Sequence, residues 1–381
     1  MKHHLQKLYK NLKLTWCRSS LTGFSFAILI FLPGLDQLME FSSNFKSTEK
    51  HLLAPLPTFH FPHVRTYIHE FNQYYKENFG WRNALFHHYS HLKHGLMGIS
   101  PLPEKVIVGK KNWFYLGNSY NKVADQHQGL LPITSHRLHA IGRQLTSHQQ
   151  KLAKLGIKLY VVVAPDSYSI YPENLPAYLS QAAVSSNFNY LKRYLAKHTS
   201  IPLIDLRPAL LAAKSTHVTY CQTDTHWNDY GALIATLAVI NHVRQDFPHM
   251  QSPVLKDYTV LAEKGHGGDL VTMLALNQDI RDSVNYQIGL PANLRTQQVE
   301  SIENKGGLPS QRFISLHEQA PTLLFVGDSF SFSMAQFVSG YFSKSYFVRK
   351  DLLEYGVVAA EKPDVVILEI VERNLGNLNQ L

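Results

Sequence analysis

Apolar positions recur along the chain at two periods, and the switches between them lay out the elements. Leu138, Ile141, Leu145, Leu152 and Leu155 fall at helical spacing, and Gly156 ends that helix. Ile157 to Val163 is then a continuous apolar, β-branched run, which predicts a strand buried on both faces. The alternation repeats downstream. Phe188 to Leu195 reads as a helix and Pro202 to Asp205 as a strand; Tyr230 to Val243 reads as an alanine- and leucine-rich helix. Leu323 to Val326 and Val365 to Ile370 are further buried strands, and Phe330 to Gly340 is a helix. Helices alternating with buried strands predict an α/β fold: a parallel sheet covered by helices on both faces. Val106 to Gly109 and Trp113 to Leu116 predict two shorter strands around a Lys110-Lys111-Asn112 turn. Residues 248–312 break the pattern with strand-like pieces, polar loops and six glycines, and are read as an insertion.

The N-terminal part follows a different logic. Ser19 to Leu35 is an apolar run of roughly 17 residues, just long enough to span a bilayer. Lys2, Lys7, Lys10, Lys13 and Arg18 precede it, no charge lies within it, and Asp36 follows. That asymmetry keeps residues 1–18 in the cytoplasm and sends the rest outward. Gly34-Leu35-Asp36-Gln37-Leu38-Met39 contains no small-x-small cleavage site, so residues 19–35 are expected to stay as a signal anchor. Residues 36–63, with prolines at 55, 57 and 62, form a linker; 64–381 form the main domain. The domain opens on an aromatic amphipathic stretch, Val64 to Leu96, broken at Phe79-Gly80-Trp81-Arg82.

Composition removes several function classes. A 45% hydrophobic chain of 381 residues with 20 Phe and 20 Tyr can build a large core. The net charge is +9, but beyond residue 18 the balance is 32 basic against 28 acidic residues, too mild for a nucleic-acid surface. The two cysteines, Cys17 and Cys221, show no zinc-type spacing, and Cys221 is read as a small buried hydrophobe. His3-His4 and His87-His88 are adjacent pairs without metal-site spacing.

The candidate chemistry lies after the buried strand Leu323 to Val326. In Leu323-Leu324-Phe325-Val326-Gly327-Asp328-Ser329-Phe330, Gly327 permits a tight turn and Asp328 or Ser329 caps the next helix. Strand, sharp turn and helix lift a serine hydroxyl toward substrate and place N–H groups where an oxyanion forms. A Gly-Asp-Ser triplet alone more often marks a cap than a nucleophile; a serine needs a base and an orienter. Asp224-Thr225-His226-Trp227-Asn228 offers both, if the turn points Thr225 away and brings Asp224 and His226 to one side. Trp227 is expected to pack beside His226. Asp166, Asp224, His226, Ser329 and residues 369–373 all follow strands or lie in loops beyond them, so they can converge on one rim of the sheet.

Gly327-Asp328-Ser329-Phe330 together with Asp224-Thr225-His226-Trp227-Asn228 resembles the SGNH-hydrolase-like acetyltransferases of bacterial exopolysaccharides, the alginate O-acetyltransferase (AlgJ/AlgX-like) family. The likeness covers most of residues 64–377. It takes in Val106-Ile107-Val108-Gly109, Asn112-Trp113-Phe114-Tyr115, Ala164-Pro165-Asp166, Ser169-Ile170-Tyr171-Pro172-Glu173, Ile204-Asp205-Leu206-Arg207-Pro208, Gly268-Asp269-Leu270, and the run from Pro363 through Glu369 to Glu372-Arg373. Ordinary SGNH hydrolases carry the serine first and the Asp-His pair last. Here the pair comes first, as in this family's circularly permuted order.

The resemblance implies an O-acetyltransferase with Ser329 as nucleophile, His226 as base and Asp224 as orienter. It would act on exported polysaccharide from the periplasmic face of the bacterial inner membrane. No bound cofactor or metal is implied: the acetyl group would come from an acetyl donor, ultimately acetyl-CoA, by way of a multipass membrane O-acyltransferase. Arg373, Tyr355 and Asp166 are the oxyanion or substrate candidates. For Arg373 the competing reading is a structural ion pair with Glu369 or Glu372. Two rivals share the sequence, an acetylesterase that resolves the acyl-enzyme with water and a non-catalytic polysaccharide-binding scaffold. One departure is Ser167, where the family often carries lysine after Pro-Asp; if that lysine contacts an acidic polymer, a different or less acidic glycan is expected here.

Overall fold

A computed structural model describes residues 2–45, 47, 53–179, 186–304, 307–349 and 353–379. The side chains of residues 1–19, with the five cations among them, lie outside the described part, as does Lys46. The chain divides into two compact units, residues 1–101 with 273–276 and residues 102–272 with 277–381.

In the first unit one helix runs from Lys2 to Met39. Its segment Ser20–Met39 is long and apolar enough to cross a membrane, with a mean hydropathy of 1.5. The predicted amphipathic stretch is two helices, Val64–Asn78 and Arg82–His91, the second continued by a π-helical turn Leu92–Leu96. The expected break lies between them, where Trp81 takes a left-handed conformation at φ 66°.

The second unit carries the α/β fold. Its strands are β1 (Val106–Val108), β2 (Phe114–Leu116), β3 (Lys158–Ala164), β4 (Leu203–Asp205), β5 (Thr259–Glu263), β6 (Asn285–Gly289), β7 (Thr296–Asn304), β8 (Gly307–Ser315), β9 (Leu323–Val326), β10 (Lys344–Val348) and β11 (Val365–Val371). β1 pairs with β2 and β5 with β6, each as an antiparallel pair. The other seven build the central sheet in the order β4-β3-β11-β9-β10-β8-β7.

From β4 to β10 the neighbours are parallel. β8 is antiparallel to β10, and β7 to β8, so the sheet is mixed rather than wholly parallel. The reason is local. β10 leaves one edge open, and 296–304 reads Thr-Gln-Gln-Val-Glu-Ser-Ile-Glu-Asn, too polar for a strand buried on both faces but suited to a half-solvated antiparallel edge. Part of the stretch read from sequence as an insertion is therefore sheet.

The predicted buried strands are the centre of this sheet. All seven positions of β11 are buried, as are six of the seven in β3. Leu159, Val161, Val163, Leu324, Val326, Val366, Leu368 and Ile370 share one core cluster with Ile141, Leu145 and Leu152 of helix Ser135–Ala153 and with Phe188, Leu191 and Leu195 of helix Asn187–His198. Burying each such side chain contributes about 1.5–3 kcal/mol. Helix Asp229–Val243 is buried nearly all round and starts at Asn228, whose side chain accepts from the Gly231 N–H. That cap fixes where the preceding loop must end.

Candidate active site

β9 delivers the serine. Gly327 donates its N–H to the Val348 carbonyl, which ties the turn to β10. An added Cβ at Gly327 would sit 2.7 Å from both Glu369 Oε2 and Ser331 Oγ, so only glycine fits. Asp328 holds the turn from three sides. Its Oδ1 accepts from Phe330 N–H at 3.0 Å, its Oδ2 from Val371 N–H at 2.9 Å, and its own N–H donates to Glu369 Oε2 at 3.1 Å. Asp328, not Ser329, therefore caps helix Phe330–Val338. Capping from Asp328 leaves the Ser329 hydroxyl free for another partner.

That partner is His226. Ser329 Oγ lies 2.7 Å from His226 Nε2, across 103 residues of sequence. On the other side of the ring, His226 Nδ1 lies 2.6 Å from Asp224 Oδ1. A carboxylate can only accept, so the proton sits on Nδ1 and Nε2 faces the serine as an acceptor. Asp224 Oδ1 also takes the His226 N–H at 3.1 Å, and its Oδ2 takes the Asp269 N–H at 2.8 Å. Burial pushes the Asp224 carboxyl up, but these hydrogen bonds outweigh it and hold it below the ordinary range.

The loop bearing the pair is fastened at every residue. Tyr220 and Trp227 form an antiparallel bridge, and Phe114 of β2 donates its N–H to Gln222 O. Thr223 gives both N–H and hydroxyl to Asp282 Oδ1, each at 2.8 Å. Thr225 is not turned away from the pair. Its hydroxyl donates to Asp269 Oδ2 at 3.0 Å and lies 3.1 Å from His226 Nδ1. Asp269 also accepts the Thr225 N–H at 2.9 Å. Asp269 thus braces both flanks of the Asp-Thr-His turn; the Gly268-Asp269-Leu270 motif was visible in the sequence without a role attached. Trp227 packs edge-on against Phe330 and donates its indole N–H to Ser333 Oγ at 2.7 Å, and His226 packs on the same Phe330 ring.

Arg373 pairs with Asp166, not with Glu369 or Glu372, and both members are nearly buried. Its guanidinium lies 5.6 Å from the Phe330 ring centre, which brings a fixed positive charge beside the residue following Ser329. Glu372 is occupied elsewhere, accepting from Ser169 Oγ at 2.6 Å and from Asp166 N–H at 3.1 Å. Burial, with Asp166 close by, lifts its carboxyl to about 7. Glu369, beneath the Gly327 turn, is raised well above the carboxylate range by burial and by Asp328. Tyr355 lies elsewhere. It hydrogen-bonds His148 Nδ1 at 2.7 Å, stacks on that ring, and sits under Lys151. No contact described for it involves Ser329, His226 or Asp224.

Asp224, His226 and Asp269 bring one donor atom each within 4.8 Å of one another. Those atoms already accept N–H and O–H groups or hold the imidazole proton, so a cation would have to displace the bracing described above.

An α/β sheet whose central strand ends in a Gly-Asp-Ser turn, facing an Asp-Thr-His loop, defines an SGNH hydrolase-like protein. A profile of the family described as SGNH hydrolase-like domain, acetyltransferase AlgX, matches residues 106–372, and the chain belongs to that family. Among curated proteins, the chain is 25% identical over 232 residues to the probable alginate O-acetylase AlgJ of Pseudomonas aeruginosa, covering 59% of this chain and 55% of that protein. It is 28% identical over 178 residues to the probable alginate O-acetylase AlgJ of Pseudomonas fluorescens, covering 45% and 42%. The chain spans about half the length of the curated relatives it matches. Among solved structures it resembles Bacillus cereus PatB1, at a TM-score of 0.55 and 13% identity over 71% of this chain and 96% of that one. A DHHW family protein from Eubacterium siraeum gives 0.53 and 14% over 72% and 97%. At these identities the likeness concerns the fold alone.

Proposed function

We propose that the chain is an O-acetyltransferase that moves an acetyl group through a Ser329 acyl-enzyme to hydroxyls of an exported polysaccharide. The observation that carries this reading is the unbroken contact chain Ser329 Oγ, His226 Nε2, His226 Nδ1, Asp224 Oδ1, at 2.7 and 2.6 Å. Ser329 Oγ attacks the acetyl carbonyl of the donor while Nε2 takes its proton, and the imidazolium is held by Asp224. The tetrahedral oxyanion is met by the Ser329 N–H at the helix start and by the positive charge of Arg373. Collapse expels the donor's leaving group, which takes the proton from Nε2. A sugar hydroxyl then gives its proton to Nε2 and attacks the acetyl ester, and Ser329 leaves with that proton.

Family membership and the names of the AlgJ relatives support acetyl transfer to a polysaccharide. In this reading Ser20–Met39 is a single-pass anchor in the bacterial inner membrane, and residues 64–381 work in the periplasm. A multipass membrane O-acyltransferase delivers the acetyl group, and no cofactor stays bound. The proposal extends to the fold: helices covering both faces of the SGNH-type sheet, and a circularly permuted motif order.

Purified full-length protein given a chromogenic acetyl ester should release the chromophore and carry one acetyl group on Ser329. Adding glycan acceptors should move that acetyl group to the glycan faster than water removes it. Ser329→Ala should abolish both steps. Wild-type turnover by the alanine variant would overturn the assignment; hydrolysis indifferent to every glycan would make the protein an esterase.

A further inference from the structure

We propose that the two helices after the anchor form a collar seated in the headgroup layer of a bilayer containing anionic phospholipid. This inference rests on the anchored reading above.

The first observation concerns height. At about 1.5 Å per residue, the 20 residues of Ser20–Met39 extend for about 30 Å, the thickness of a hydrocarbon core. Pro33, Asp36 and Gln37 therefore lie in the last two turns of the span, at its outer end. The helix pair is joined there. Asp36, 3% exposed, accepts the Trp81 N–H at 2.7 Å, as well as the N–H and hydroxyl of Ser42. Gln37 donates to Tyr74 Oη at 2.8 Å. Gly80 packs so tightly that an added Cβ would come within 2.1 Å of the Pro33 carbonyl oxygen. The junction between the two helices is thus held at interface level by a buried carboxylate, not by a loose linker.

The second observation is what these helices leave uncovered. Val64, Ile68, Phe71 and Tyr75 recur at i, i+4, i+7 and i+11, which is one face of a helix. Leu85, Tyr89, Leu92 and Leu96 repeat the same spacing. All eight are between 39% and 80% exposed. Helix Val64–Asn78 buries no residue at all. Two apolar stripes of this size on a water-facing unit are costly to leave in solvent. Their flanks carry Arg65, Lys76, Arg82 and Lys93 against Glu70 and Glu77. Apolar and aromatic faces bordered by Lys and Arg are the composition of helices that lie in the interface plane of an anionic membrane. The anchor already holds them there, so seating the stripes costs little additional ordering.

The test uses the full-length chain alone, in nanodiscs of phosphatidylethanolamine and phosphatidylglycerol. In a Cys17→Ser, Cys221→Ala background, an environment-sensitive fluorophore is placed by Ile68→Cys, Leu92→Cys, Thr66→Cys or Ile28→Cys. Thr66 faces away from the first stripe, and Ile28 reports the span. Labels at positions 68 and 92 should lose more than half their emission to spin-labelled lipid and resist aqueous iodide, whereas the label at 66 should do the reverse. If the label at 28 is lipid-quenched while those at 68 and 92 stay open to iodide, the collar is wrong and the stripes await a protein partner. If the label at 28 is also unquenched, the anchored reading has failed and the collar falls with it.

Discussion

Replacing Asp224 by asparagine tests the site at its most constrained point. The carboxylate accepts on both oxygens: Oδ1 from His226 Nδ1 and the His226 N–H, Oδ2 from the Asp269 N–H. An amide has one acceptor and one donor end, and neither orientation fits. With the NH2 toward His226, the imidazole must accept at Nδ1, its proton moves to Nε2, and Nε2 then faces Ser329 as a donor. With the NH2 toward Asp269, two N–H groups oppose each other at a spacing that was 2.8 Å. Each arrangement leaves one backbone N–H without its acceptor, that of His226 in the first and that of Asp269 in the second, at a cost of about 1–3 kcal/mol, and the first also flips the imidazole tautomer. In the proposed acyl transfer the wrong tautomer removes the base, and in serine–histidine–aspartate sites this change lowers kcat by about 10⁴-fold. Release of chromophore from an acetyl ester measures the loss, and thermal unfolding checks that the fold survives. The proposed acyl transfer uses the three residues as a unit, so adding Ser329→Ala to Asp224→Asn should lower the rate little further. An Asp224→Asn protein within tenfold of the wild-type rate would show that Asp224 does not set the tautomer.

Gly327→Ala should lower stability by about 1–3 kcal/mol and reduce acyl transfer more than tenfold, since its Cβ meets Glu369 and Ser331 and the turn must shift; denaturant melts and ester turnover read the two effects. Arg373→Met leaves Asp166 as an unpaired buried charge and should cost about 3–5 kcal/mol, while Asp166→Asn in the same chain should return part of it in a double-mutant cycle. The Glu372 carboxyl stands at about 7 in the fold against an ordinary 4.5, so the native state binds more protons than the unfolded chain between those values. Stability should therefore fall as pH rises from about 4.5 to about 7, by up to about 3 kcal/mol, and Glu372→Gln should flatten that slope in melts taken across the range.

The readable features of this chain were local ones. Buried strands showed as continuous apolar runs, the serine turn as four apolar residues ending in Gly-Asp-Ser, and the pair that meets it as a carboxylate two residues from a histidine. Each depends on a period or a turn within about ten residues, and a helix long and apolar enough to cross a membrane, Ser20–Met39, needed only its length and composition. Which groups meet across the fold was decided by tertiary structure. Arg373 chose Asp166, 207 residues away, because β3 and β11 are parallel neighbours and their following loops emerge side by side. Tyr355, adjacent to nothing informative in sequence, faces His148 on a helix. Asp269 braces the Asp224–His226 turn from 45 residues downstream, through hydrogen bonds that no periodicity encodes. The β7–β8 pair looked like an insertion because a polar edge strand carries little apolar signal, and only the open edge of β10 gave it a place. Side-chain period reports which face of an element is buried, but not which element comes to lie against it; that is settled when strand order and register bring distant loops to one rim.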